Sequence, residues 1–215
     1  MRFKQFITEG AFDLQKFLND TYHFRSQLPE QTIDAPYRGL WRGVNEKHAL
    51  DNGWKIYSRT RDRSPRDTPF HAHDVMDEAL FDIFNWHVRR VGVFCTSYIN
   101  EAGGYGSAFI IFPIGKFAFI WSPDVKDAFS DLWEKFAKAN NAPRSSELSA
   151  ENEKKWNEEL RPAFRRYVEA FDWYDTNLKG AIKHRGEVII DCDQYYAFDP
   201  TSELWKETIF PNLCE

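Results

Sequence analysis

Apolar residues along the chain follow two periods, and the switches between them outline the elements. Positions 11–28 carry apolar side chains at helical spacing (Phe12, Leu14, Phe17, Leu18) and stop before Pro29, which predicts an opening helix. Positions 37–44, YRGLWRGV, are aromatic and punctuated by glycine, as in a strand whose backbone approaches something closely. A polar stretch at 58–69 follows. Asp74 then stands where a helix cap belongs, ahead of Val75, Ala79, Leu80, Ile83, Phe84 and His87 on one helical face. After Arg89-Arg90, the run at 91–97, VGVFCTS, reads as a strand. Positions 108–112 and 117–121 predict a hairpin that turns at Pro113 and Gly115.

Ser122-Pro123-Asp124 has the chemistry of a helix start, with Val125, Phe129, Leu132, Trp133 and Phe136 as its apolar face. Positions 140–149 read as a loop, the best place for a mobile excursion. Positions 150–179 are charged with apolar residues about four apart, predicting helix, with Pro162 starting a second helix or kinking one. Positions 187–190 and 195–198 read as strands around a polar turn. Helices and strands mix without a βαβ rhythm, so the expected class is α+β, in one domain over 11–215.

Composition narrows this. The chain has 215 residues, 42% hydrophobic and 17% aromatic, enough for a core that buries roughly 70% of the unfolded surface. The same figures exclude disordered and collagen-like chains. The longest apolar stretch, 108–121, is interrupted by Pro113, Gly115 and Lys116 and is too short to span a bilayer, so no membrane partner is expected. Cys95, Cys192 and Cys214 are odd in number and far apart, against a disulfide framework or zinc ribbon. A formal net charge of -5 argues against bulk electrostatic capture of nucleic acid.

Several features bear on chemistry. His71-x-His73-Asp74 offers ligand-type side chains, but with no third His or Cys nearby no metal is expected. Cys95 lies in an apolar strand, where a free thiol is usually a small buried hydrophobe. Arg59, Arg61, Arg63 and Arg66 with Asp62 and Asp67 make either an anion site or a solvated loop with internal pairs. Finally, Arg42-Gly43 stands on an aromatic strand, Thr96-Ser97 ends another, Tyr105-Gly106 follows, and Glu187 opens a late strand.

In this order these motifs resemble the ADP-ribosyltransferase family, over roughly residues 37–198. The resemblance implies two facing antiparallel sheets with helices around a cleft for NAD, which is a substrate. It implies that Arg42 holds the diphosphate or ribose while Gly43 lets backbone come close, and that Thr96 and Ser97 orient the site. Tyr105 would wall the nicotinamide. Glu187 would be catalytic, bonding a ribose hydroxyl and steadying the oxocarbenium-like sugar as nicotinamide leaves. Arg38-Gly39 duplicates the first motif four residues earlier and stays open as its alternative. Members that modify arginine carry a second Glu two residues before the catalytic one; here that position is Arg185.

Residues 1–10, MRFKQFITEG, either begin the first helix or form a leader. Ile7-Thr8-Glu9-Gly10 resembles the cleavage site ending capsid-targeting leaders of internal head proteins in large tailed phages. That likeness implies packaging in a phage head and action in the host cytoplasm, on an unidentified host protein or nucleic-acid acceptor. The alternative is a non-enzymatic phage or virion protein that binds a host protein or nucleic acid. A nuclease or RNA-binding protein working through the arginine loop is a third reading.

Overall fold

The computed structural model describes residues 12–33, 36–44, 50, 52–59, 68–144 and 148–214. The leader at 1–10 and Arg61, Arg63 and Arg66 lie outside the described residues.

The chain opens with α1 (Leu14–Asp20) and α2 (Tyr22–Arg25). The Asp13 side chain caps α1 by accepting from Lys16 N at 2.9 Å. Phe17 and Phe24 point from these helices into the sheet, and Phe17 meets Phe112, Tyr196 and Phe198 edge-on at 5.1–5.3 Å. These three partners come from strands far apart in sequence, so the opening helices are docked by aromatic packing.

Seven strands follow: β1 (Trp41–Val44), β2 (Trp54–Ser58), β3 (Val93–Thr96), β4 (Ser107–Pro113), β5 (Ala118–Trp121), β6 (Glu187–Asp191) and β7 (Gln194–Phe198). They form one sheet in the order β2-β7-β4-β1-β3-β6-β5, every neighbouring pair antiparallel. The expected pair of facing sheets is therefore wrong: a single ladder runs from β2 to β5. The join between its halves is narrow, since β1 and β3 meet only at Trp41↔Thr96. Cys192 and Asp193 alone separate β6 from β7, which lie four strand spacings apart, about 19 Å if the sheet were flat. The chain between them spans at most about 11 Å, so the sheet curls strongly.

The expected hairpin between positions 108–112 and 117–121 is also corrected. β4 pairs with β1 and β7, whereas β5 pairs with β6 at the far edge. Both strands are apolar and largely buried, so neither carries a polar face that would name its partner. The turn after β4 is tied elsewhere: Ile114 N donates to Gln194 O and Gly115 N to Asp20 O.

Helices α3 (Phe70–Phe84), α4 (Val88–Val91) and α5 (Ile99–Gly103) precede β4. The first starts a turn earlier than expected. Asp74 is inside it and pairs with Arg90 at 3.2 Å instead of capping, and Ala72, Val75, Met76, Ala79 and Leu80 form its buried stripe. Ser122 does not start a helix either: its Oγ accepts from Asp124 N in a turn. The helical segment begins at a π-helical turn, Phe129–Glu134, whose first turn Asp127 caps by accepting from Ser130 N at 2.7 Å, and it continues as α6 (Lys135–Asn140). Next come α7 (Ala150–Lys155), a π-helical turn at Trp156–Leu160 and α8 (Arg161–Glu169). Helix ends there rather than at 179, because Tyr174 bridges to Trp121 at the β5 edge. Then come α9 (Leu178–His184), a π-helical turn at Leu204–Ile209 and α10 (Phe210–Leu213).

Two main cores result. One packs α1, α2 and the C-terminal helices on the sheet around Phe112, Phe198 and Trp205. The other gathers α3, α6 and α8 around Trp133 and Phe164. Leu80, Val88, Ile120 and Ile189 form a small cluster that links α3 to the sheet. No helix among the described residues is long and apolar enough to cross a membrane.

Candidate active site

The ladder builds the site. Trp41 on β1 stands opposite Thr96 on β3, and Thr96 stands opposite Glu187 on β6. Register thus sets residues from three strands, up to 146 positions apart, in one row. The row opens into a cleft of about 470 Å³, within the range of small-molecule sites. Arg42, Gly43, Thr96, Tyr105 and Glu187 all line it. Of the six residues expected at the site, only Ser97 is not among them. Its Oγ donates to Ile182 O at 2.6 Å, fastening the end of β3 to α9. Arg38 is exposed and outside the cleft, its backbone held at both N and O by the Gln31 side chain, so Arg42 is the arginine of this pair that reaches the site.

Arg42 donates from Nη1 to Phe94 O at 3.3 Å, and its guanidinium lies 5.9 Å from the Tyr195 ring centre. Gly43 serves a close approach within the protein. A Cβ there would sit 2.1 Å from Ala102 O and 2.7 Å from Tyr105 Cβ, so the missing side chain lets α5 rest directly on β1. Tyr105 is 47% exposed, and its hydroxyl donates to Asp127 Oδ2 at 3.3 Å.

Glu187 is held deep in the cleft. Its backbone N donates to Lys126 O at 2.8 Å, and its Oε1 accepts from Arg89 Nη1 at 3.3 Å. Arg89 is buried, with its guanidinium 4.8 Å from the Phe94 ring centre. Asp77, wholly buried on α3, organises the turn that carries Arg89. Its carboxylate accepts from Arg89 N at 2.7 Å, Arg90 N at 3.2 Å and His87 Nδ1 at 2.8 Å. His73 also lines the cleft, and its Nε2 donates to Arg89 O at 3.3 Å. Burial, aided by the Arg89 charge, pushes the His73 imidazole down to about 4, so it is neutral near pH 7.

Arg42 and Arg89 each leave Nε buried without an acceptor among the described residues. Buried donors of this kind are normally satisfied, so two guanidiniums of the cleft lining keep an unspent N–H group each beneath its surface. Lys126 adds a third cation, with Glu101 and Asp127 at the mouth.

The two histidines of the candidate metal motif are parted. His71 sits in the helical core against Trp133 and Trp156, at 5.3 and 4.4 Å, whereas His73 faces the cleft. Among the described residues, no group of three or more His, Cys, Asp or Glu could hold a metal ion. Cys95 lines the cleft but is buried, its Sγ donating to Val93 O at 3.3 Å. Arg59, from the arginine loop, is taken up by Asp191, at the opposite end of β6 from Glu187, and by Asp193 just beyond it.

Reading the sequence missed Arg89, Asp77 and Glu101. Only the first left a signal, as a pair of arginines set directly before an apolar strand. Compared with protein-family models, curated proteins and solved structures, the chain matches none of them.

Proposed function

We propose that the cleft binds NAD and that the protein transfers ADP-ribose from it to an acceptor. The observation that carries this reading is the convergence of Arg42, Thr96 and Glu187 on one cleft through strand register. Two guanidiniums in the cleft lining, those of Arg42 and Arg89, suit a diphosphate, which presents acceptor oxygens to planar donors. Glu187 supplies a fixed negative charge where the ribose turns positive as its bond to nicotinamide lengthens. The nicotinamide is cationic in NAD and leaves neutral, so it needs no acid.

The neighbours of Glu187 fit this task. Arg89 orients one carboxylate oxygen, and the neutral His73 and the buried Asp77 hold Arg89 from the other side without adding positive charge to the cleft. Tyr105 at the mouth supplies an aromatic wall beside the reacting end.

The test is incubation with radiolabelled NAD and a cell extract, comparing the native protein with Glu187→Gln. Labelling of an acceptor should fall by about 100-fold or more in the variant, the scale of losing a preorganised transition-state charge. Equal labelling would remove Glu187 from the mechanism. No labelling and no nicotinamide release by either protein would favour a binding module.

A further inference from the structure

Positions 176–186, TNLKGAIKHRG, carry Lys179, Lys183 and Arg185 and no carboxylate, in a chain whose formal net charge is -5. Asp175 precedes the strip, and Glu187 follows it and turns into the cleft onto Arg89. Most of the strip is α9. Leu178, Ala181 and Ile182 bury one side of that helix, and the Ser97 hydroxyl fastens it by donating to Ile182 O. Lys179 and Lys183, one helical turn apart, are both exposed. Neither has a carboxylate partner among the described residues, in contrast to Arg89, Arg161 and Arg165.

Positive charge continues past the helix. Arg185 ends α9 in a left-handed conformation, φ 64°, where glycine is the usual residue. Its exposed side chain brings the guanidinium 5.6 Å from the ring centre of Tyr98, itself 37% exposed. Next, a Cβ on Gly186 would sit 3.0 Å from Val125 O, and Glu187 N donates to Lys126 O. The exposed Lys126 therefore stands beside the end of the strip. A second exposed aromatic, Tyr174, packs on Trp121 at 5.7 Å, and the Trp121 ring lies 5.9 Å from His184.

Unpaired cations and exposed aromatic faces thus share one surface. Cations alone suit any polyanion. A tyrosine ring and a guanidinium lying on it suit flat bases that are free to stack, which a duplex keeps inside and an acidic peptide lacks. We propose that α9, the turn at Arg185 and Lys126 form a binding surface for single-stranded nucleic acid. Phosphates take the lysines, and a base takes the Tyr98–Arg185 pair. The strip lies outside the cleft lining, and binding there needs no ligand in the cleft.

The experiment follows the fluorescence anisotropy of a labelled oligothymidylate as native protein is added at several salt concentrations. Its length is about 20 nucleotides, beyond the roughly 4–16 that one single-strand site covers. Affinity should fall with salt at a log–log slope of about -2 to -3, from three or four phosphate contacts at about 0.7 each. The double variant Lys179→Gln, Lys183→Gln should flatten that slope by about 1.4. Arg185→Gly removes the guanidinium and gives the left-handed turn its usual residue. It should therefore unfold no earlier on heating, yet bind at least about 5-fold more weakly, as should Tyr98→Ala. Native protein without salt-dependent binding overturns the proposal. So does equal affinity for a duplex of the same length, or displacement by polyglutamate as complete as by unlabelled oligothymidylate. Binding that survives in the lysine variant but is lost in Arg61→Gln, Arg63→Gln belongs to the arginine loop and overturns it as well.

Discussion

The deep wall and the mouth of the cleft are made differently. Arg42, Thr96 and Glu187 stand on strands, and ladder register sets their spacing. Behind them Arg89 is clamped by Asp77 and His73. Glu101, Tyr105 and Asp127 sit instead on a short helix and loops, where Thr96 donates to Glu101 and Tyr105 to Asp127. A rigid wall suits a transition state that punishes small misplacements, and an adaptable rim suits a partner that arrives from solvent. The sheet thus fixes the wall of the cleft, and α5 and the loops form its mouth.

Breaking the deep wall from behind should have the largest effect. Asp77→Ala leaves Arg89 N, Arg90 N and His87 without their buried acceptor, and should cost about 3–5 kcal/mol in urea unfolding. Because Arg89 then loses its anchor, nicotinamide release should fall too, even at temperatures where the variant is folded. Unchanged stability would mean that the turn after α3 holds itself.

The contact between wall and mouth comes next. Gly43→Val drives a side chain into Ala102 O and Tyr105 Cβ, so α5 must lift from β1. The expected cost is about 1–3 kcal/mol, with transfer to an acceptor reduced more than NAD binding. Equal losses in both would erase the distinction drawn between the two regions.

The smallest effect at neutral pH belongs to His73→Gln, which keeps a neutral donor for Arg89 O. Its signature is in acid. The unfolded chain takes up a proton near 6.5 that folded His73 refuses down to about 4, so native stability should fall as pH drops through that window and level off below it. His71, also pushed down by burial, adds to the slope in the same direction. Denaturant titrations between pH 7 and 4 should therefore show a shallower decline in His73→Gln than in the native protein.

The strand positions of Arg42, Thr96 and Glu187 were legible in the sequence because short apolar runs ending in glycine or polar residues mark strands. Which strands pair was not. β4 and β5 are apolar on both sides, so their nearness in sequence suggested a hairpin that the ladder does not contain. A single sheet rather than two turns on one residue pair, Trp41↔Thr96, which no local pattern reveals. Arg89 and Asp77 become partners only when α3 and α4 fold against each other. Glu101 reaches the cleft on a helix whose seat depends on the absence of a side chain at Gly43, a residue 58 positions earlier.

NAD binding by the row of strand residues at the bottom of the cleft is the proposal on which the rest of the cleft's chemistry depends. Calorimetric titration of NAD into the Glu187→Gln variant tests it without interference from turnover, since Arg42, Thr96 and Arg89 are intact there. Saturable heat with one NAD per chain is the expected result. Heats of dilution alone, from a variant that unfolds as cooperatively as the native protein, would contradict it.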